Sequence, residues 1–308
     1  MAEIKAAQVK DLRDKTGAGM MECKAALVEA NGDLDEAVKV LRKKGLAAAG
    51  KKAGRITSEG AVGTLVKGRV AVVLEVNCET DFVAQTDEFG ELVAGVAAII
   101  ADENPADAGT LGALGWPGDA DGHTVAEVIS AKIAKIGENI SVRRFVRYES
   151  DNPSFGTYVH GKGSIGVVVE LRSEGGDAEQ WTELAKGIAM HVAAAEPRFV
   201  KRDEVTDSDL DAEREIARDQ AIKAGKPEQI VEKIVSGKME KYYSETVLVE
   251  QPYIRDDSKT VGDMVAARAK ELGGTADIVR FSRFKLGEGL EKRSDDFVAE
   301  VMAAQVGS

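Results

Sequence analysis

The sequence predicts an α+β protein built from several modules, and three observations predict it. A β-rich hairpin pattern occurs twice, as "GTLVKGRVAVVLEV" from Gly63 and "GTYVHGKGSIGVVVEL" from Gly156, with roughly a hundred residues between starts. Each copy is followed by apolar residues at helical spacing. Residues 1–55 read as three short helices, and 204–245 are highly charged, almost without β-formers and periodic like helices. Two copies are too few for a solenoid, so the expectation is a pair of α+β subdomains, each with a small antiparallel sheet.

Residues 1–55 form the first module, three short helices and a linker. Val9 and Leu12 suit the buried side of the first helix, and 16–19 is a glycine-bearing turn. Met20, Ala25, Leu27 and Val28 populate the second. Asp33 followed by Glu36 predicts a capping box for the third, with Leu34, Ala37, Val38 and Leu41 at helical spacing and Gly45 as its end. Residues 51–60 are small, basic and polar, as a linker would be.

The first core subdomain, 56–144, opens with strands at 61–65 and 70–76 joined at Lys67 and Gly68. A short turn at 80–83 follows Cys78, then a helix through Leu92, Val96, Ile99 and Ile100. Residues 102–122 read as a long exposed loop, and 124–136 as a second helix. The second subdomain begins at 145–203, with strands at 156–160 and 165–171 and a helix at 181–194. Residues 204–245 predict an antiparallel helical hairpin broken at Gly225-Lys226-Pro227. Leu210, Ala217, Ala221 and Ala224 line one half of it; Ile230, Val231 and Ile234 line the other. Stripes so thin predict a hairpin that protrudes. Residues 246–284 return to the core with strand or mixed character at 246–254 and 275–284 around a helix at 260–272. A C-terminal module, 285–308, ends in an amphipathic helix at 295–305, with Phe297, Val298 and Val301 on one side.

Composition narrows the functional class. The 308 residues are 44% hydrophobic but only 5% aromatic, so the core is expected to be built of small aliphatic side chains. The first fifteen residues lack an apolar segment, which argues against a signal peptide. The most apolar stretch, 93–101, falls far short of the roughly 20 residues that cross a bilayer. Cys23 and Cys78 stand far apart without CxxC spacing, so neither a disulfide framework nor a metal site is expected, and a reducing, cytoplasmic address follows. The net charge of −12 is uneven: residues 1–55 carry 12 Lys/Arg against 8 Asp/Glu, and the remainder is strongly acidic. Nucleic-acid binding would therefore be local to the first module, where a solvated helical surface explains the charge as well.

Catalytic patterns are missing from the sequence. Gly161, Gly163 and Gly166 match a dinucleotide fingerprint by letters, but they sit within a hairpin and precede a strand rather than a helix. There is no GxxxxGK[ST] loop and no HExxH or GxSxG pattern. Of His123, His160 and His191, the last lies among Met190, Val192 and Ala193, as a core or interface histidine would. Glu79 beside Cys78 opposes a thiolate. No catalytic residue and no cofactor are expected.

The informative segment is "NCETDFVA" at 77–84. Thr80 suits a helical N-cap, with Asp81 at the positive end of the turn. Phe82 and Val83 are adjacent, hence about 100° apart on a helix, and one short turn cannot readily bury both. The pattern by itself places Phe82 inward.

At these residues a family resemblance enters. "VKDLRDKTGAGMMECKAALVEANGDLDEAVKVLRKKG" at 9–45 is similar to the three-helix, ubiquitin-associated-like amino-terminal domain of the elongation factor Ts family, and "EVNCETDFVAQ" at 75–85 resembles its signature. "KIGENI" at 135–140, "MHVAA" at 190–194 and "LGEGLEK" at 286–292 follow in family order, and the helical hairpin resembles its coiled-coil element. The resemblance covers nearly the whole chain. It implies a non-enzymatic guanine-nucleotide exchange factor of translation. The implied partner is elongation factor Tu, in GDP-bound and nucleotide-free forms, with no membrane and no direct nucleic-acid contact. Self-association stays open. By the same resemblance Thr80, Asp81, Phe82 and Val83 disturb the partner's magnesium and phosphate site, with Phe82 as a wedge. Lys10, Arg13, Met20, Met21, His191 and Phe297 would supply further contacts. Plain surface charge accounts equally for Lys10 and Arg13, and helix-start packing for Met20 and Met21. Two rivals from other classes are an RNA-binding accessory factor using the basic first module and a ubiquitin-like adaptor.

Overall fold

In the computed structural model, residues 4–291 are described. The chain divides into two compact units. One holds Leu74–Phe145 with the described parts of Met1–Gly63 and Lys285–Ser308; the other holds Thr64–Val73 and Val146–Phe284. The terminal helix expected at 295–305, and Phe297 with it, lies outside the described residues.

Helices α1 (Ala6–Thr16), α2 (Met20–Glu29) and α3 (Leu34–Lys52) close around Val9, Leu12, Cys23, Ala26, Leu27 and Ala37. The stripe of α2 differs from the expected one. Cys23, Ala26 and Leu27 share the inner face at i, i+3 and i+4, while Met20, Ala25 and Val28 face outward. Asp33 caps α3 through the amides of Asp35 and Glu36, but Glu36 pairs with Lys39 at 2.6 Å instead of closing a capping box. Gly45 does not end α3. It is buried where α3 crosses α7 (Val125–Ile136), and a Cβ there would stand 3.7 Å from the Ser130 carbonyl. The helix therefore runs to Lys52, and little linker remains before the first strand.

Strands β1 (Glu59–Lys67), β2 (Val70–Cys78) and β3 (Ile140–Glu149) form one sheet in the order β1-β2-β3. Between β2 and β3 run α4 (Asp81–Ala84), α5 (Asp87–Glu103), α6 (Ala108–Ala113) and α7. The supposed loop at 102–122 is more than a loop. Asp107 caps α6, Leu111 is fully buried, and Trp116 lies against Gly95, where a Cβ would come within 2.5 Å of its ring.

The second sheet has the order β4-β5-β8, from β4 (Pro153–His160), β5 (Ile165–Glu174) and β8 (Thr275–Lys285). Helix α8 (Ala178–Ala195) packs on it through Trp181, Ile188 and Val192. Helices α9 (Asp207–Lys223) and α10 (Glu228–Thr246) form the hairpin. Its own seam is Ala217, Ala221, Val231, Val235 and Met239, while Ala224 and Ile230 face outward. A two-stranded ribbon, β6 (Pro252–Tyr253) and β7 (Asp256–Thr260), and α11 (Val261–Glu271) lead back to β8.

The duplication extends to side chains. At Gly63 a Cβ would stand 2.5 Å from Val93 of α5; at Gly156 it would meet the Ala185 backbone of α8 at 2.1 Å. Each glycine opens a close approach for the helix that follows its hairpin. The middle strands carry a second matched pair. Glu75 on β2 is fully buried and accepts from Arg144 Nε at 2.7 Å; Glu170 on β5 is 4% exposed and accepts from Arg280 Nε at 2.6 Å. Glu75 also accepts from Arg143, from Asn77 and from the Gly287 amide at 2.8 Å. Burial pushes its carboxyl up, but the Gly287 amide and the two guanidiniums outweigh that and hold it below the ordinary range.

Candidate functional site

Strand β2 ends at Cys78, and the chain turns at once into α4. The Cys78 thiol donates to the Thr80 carbonyl at 3.1 Å. Burial, reinforced by the charge of Glu138, pushes that thiol up to about 12, so it stays protonated as a donor. Thr80 has extended backbone angles (φ −129°, ψ 152°) and caps α4, its Oγ1 accepting from the Val83 amide at 3.4 Å. Thr86 then caps α5 and donates its hydroxyl to the Val83 carbonyl at 2.8 Å. Two threonines thus close a one-turn helix at both ends.

The turn is tied to the end of α7 by a reciprocal pair of bonds. Glu138 accepts the Thr80 hydroxyl at 2.6 Å and the Thr80 amide at 3.0 Å. In return Glu79 accepts the Asn139 amide at 2.6 Å, and Arg55 reaches Glu79 at 3.2 Å. Gly137, left-handed at φ 91°, ends α7 and so delivers Glu138 to Thr80. The Asn139 side chain donates to the carbonyls of Ala53 and Arg55. The sequence reading gave Glu138 and Asn139 no role. Their partners lie some sixty positions away, and only the fold brings them in.

On this fixed turn Phe82 points outward. It is 80% exposed, the most exposed large apolar side chain among the described residues. Asp81 is exposed beside it, and Val83 is half-buried. The helical pattern alone placed Phe82 inward, and this is corrected. With Thr80 turned to Glu138 and Val83 toward the protein, the rotation of a single turn carries position 82 to solvent. Leaving a phenylalanine in water forgoes about 1.5–3 kcal/mol of burial. A rigid turn that holds it there has the character of an interaction point.

The other expected contacts are scattered. Lys10 and Arg13 are exposed on α1 and pair with no acidic side chain among the described residues. Met20 and Met21, 58% and 75% exposed, begin α2, so they do not pack as helix-start residues. Arg13 and Met20 share a shallow depression with Gly17, Ala134 and Lys135, at the same end of α7 that carries Glu138. His191, in the other unit, is fully buried and offers no surface to a partner. Its Nδ1 accepts the Ile254 amide at 3.3 Å, which leaves Nε2 to donate to Gln251 Oε1 at 2.9 Å. Burial lowers the pKa of His191, against the raising effect of Gln251. It is a neutral support for the segment that ends at the exposed Ile254.

Other chemistry finds little purchase. Asp119, Asp121 and His123 bring ligand atoms within 4.8 Å of one another, but all three are explained by the loop they close and by the His123–Asp119 contact. No helix among the described residues is long and apolar enough to cross a membrane.

Comparison with known proteins places these features in a family. The family model described as "Elongation factor TS" matches residues 79–288. The chain is 50% identical over 299 residues to the elongation factor Ts of Syntrophotalea carbinolica, covering 97% of this chain and 98% of the relative. It is 46% identical over 306 residues to that of Trichlorobacter lovleyi, covering 98% of each. Over 300 residues it is 47% identical to that of Clostridium tetani, covering 97% of this chain and 98% of the relative.

Proposed function

The chain belongs to the elongation factor Ts family, and on that premise we propose that it promotes GDP release from the translational GTPase elongation factor Tu. One observation carries the reading: Phe82 stands 80% exposed on a turn capped by Thr80 and anchored to Glu138. In this reading Thr80–Val83 is the segment that engages the partner's nucleotide domain, with Phe82 as the wedge. A GTPase holds phosphates with backbone amides and Mg²⁺, whose octahedral coordination tolerates little distortion. A wedge need not touch the nucleotide. It must bind the loosened, nucleotide-free partner better than the GDP-bound one. The coupling is reciprocal, so returning nucleotide weakens the grip on the factor and frees it for another round.

Exposure likewise favours Lys10, Arg13, Met20 and Met21 as accessory contacts. His191 acts indirectly, by holding the 251–254 segment. The action is that of a cytoplasmic binding protein, without bond-making groups of its own. The direct test mixes the chain with elongation factor Tu carrying fluorescent GDP and an excess of unlabelled GDP. Release should accelerate in proportion to added chain until it saturates. A release rate that is independent of the chain contradicts the proposal.

A further inference from the structure

We propose that Glu138 is a positioning residue for nucleotide exchange, acting on the partner only through Phe82. This rests on the reading of Phe82 as the wedge. Glu138 is half-buried rather than presented to solvent. Its two oxygens are spent on Thr80, one on the hydroxyl at 2.6 Å and one on the amide at 3.0 Å. Thr80 is in turn the cap that starts the turn carrying Phe82.

The geometry explains why such a brace is needed. Helix α4 spans only Asp81–Ala84, too short to persist by its own hydrogen bonds. Phe82 is 80% exposed, so burial does little to fix its orientation. The orientation of the wedge is therefore set by what holds the cap. That holder is Glu138, delivered by α7, with the Glu79–Asn139 bond running the opposite way between the same two segments. A carboxylate that accepts two bonds from one residue fixes both position and rotation, which a single bond would not. Preorganising a group before binding removes the ordering cost from the encounter, and the gain appears in the committed complex.

The test compares Glu138→Ala, Glu138→Gln, Phe82→Ala and the Glu138→Ala/Phe82→Ala double variant in stopped-flow release of fluorescent GDP from elongation factor Tu, with melting temperatures alongside. Glu138→Ala should lower the saturating release rate roughly tenfold and move the half-saturating concentration little. Glu138→Gln keeps one acceptor oxygen and should fall between. In the Phe82→Ala background, loss of Glu138 should cost nothing further, because the two act in series. If Glu138→Ala does not fold, the glutamine variant and its double carry the same comparison. Wild-type release by Glu138→Ala, with Phe82→Ala slow, overturns the positioning role and leaves the exchange reading intact. A full additional loss in the double variant also overturns it. A wild-type chain that does not accelerate release overturns the exchange reading, and the positioning role with it.

Discussion

Thr80 gives both its hydroxyl and its amide to one carboxylate, that of Glu138. The same oxygen of Thr80 accepts the Val83 amide, so capping and anchoring meet in a single side chain. Substituting valine keeps the shape of Thr80 and removes the hydroxyl. Thr80→Val is expected to cost about 1–2 kcal/mol of stability, the loss of a cap and of a charge-assisted bond. It should also slow stimulated GDP release. Urea unfolding checks the first effect, and a midpoint equal to wild type would contradict it.

The buried Glu75 gives a pH prediction. Its folded pKa lies below the ordinary value, so the unfolded chain binds its proton more readily. Its contribution to stability is complete above the ordinary carboxylate range and is lost as pH falls through the folded value. The urea midpoint should therefore decline below about pH 4.5, and Glu75→Gln should flatten that limb. At neutral pH the same variant leaves two guanidiniums facing a neutral amide, at a cost of about 3–5 kcal/mol. An unchanged acid limb in Glu75→Gln would exclude Glu75 as its source.

His191 titrates in a different window. Its pKa is lowered by burial, so stability is full above the ordinary histidine range and falls as pH drops below about 6.5. Protonation would set a new Nδ1–H against the Ile254 amide, which already donates there. Amide hydrogen exchange at Ile254 should accelerate between pH 7 and 5, corrected for intrinsic rates. Protection at Ile254 that does not change over this range contradicts the prediction.

Gly156 tests the duplication. A Cβ at 2.1 Å from the Ala185 backbone cannot be absorbed by a rotamer change. Gly156→Ala should force β4 and α8 apart and cost about 1–3 kcal/mol or more, as overpacking does. Its counterpart Gly63→Ala meets side chains alone, those of Val93 at 2.5 Å and Leu74 at 3.2 Å, and should cost less. Equal melting temperatures for the two variants would contradict the difference.

Most of the architecture was legible because it repeats. The matched strings from Gly63 and Gly156 located both hairpins and, at their ends, Glu75 and Glu170. Strand β3 was not legible. "ISVRRFVRYE" carries three arginines, which read as surface until Arg143 and Arg144 are seen to meet a carboxylate on the neighbouring strand, nearly seventy positions back. The site divides the same way. Local pattern found the Thr80 cap, because capping is a matter of neighbours, but it placed Phe82 inward. The side of a short turn that faces solvent is decided by Glu138, a partner distant in sequence. The pattern required that Phe82 or Val83 be exposed, and the family resemblance pointed to Phe82.

The most direct measurement of the central claim is Phe82→Ala, followed in parallel by thermal unfolding and by GDP release from elongation factor Tu. An 80% exposed side chain contributes little to folding, so stability should stay within about 0.5 kcal/mol of wild type. The saturating release rate should fall by roughly tenfold or more, the equivalent of about 1.4 kcal/mol of preference for the nucleotide-free partner. A variant destabilised by about 3–5 kcal/mol, as a core phenylalanine would be, that still releases GDP at the wild-type rate when folded would contradict the account.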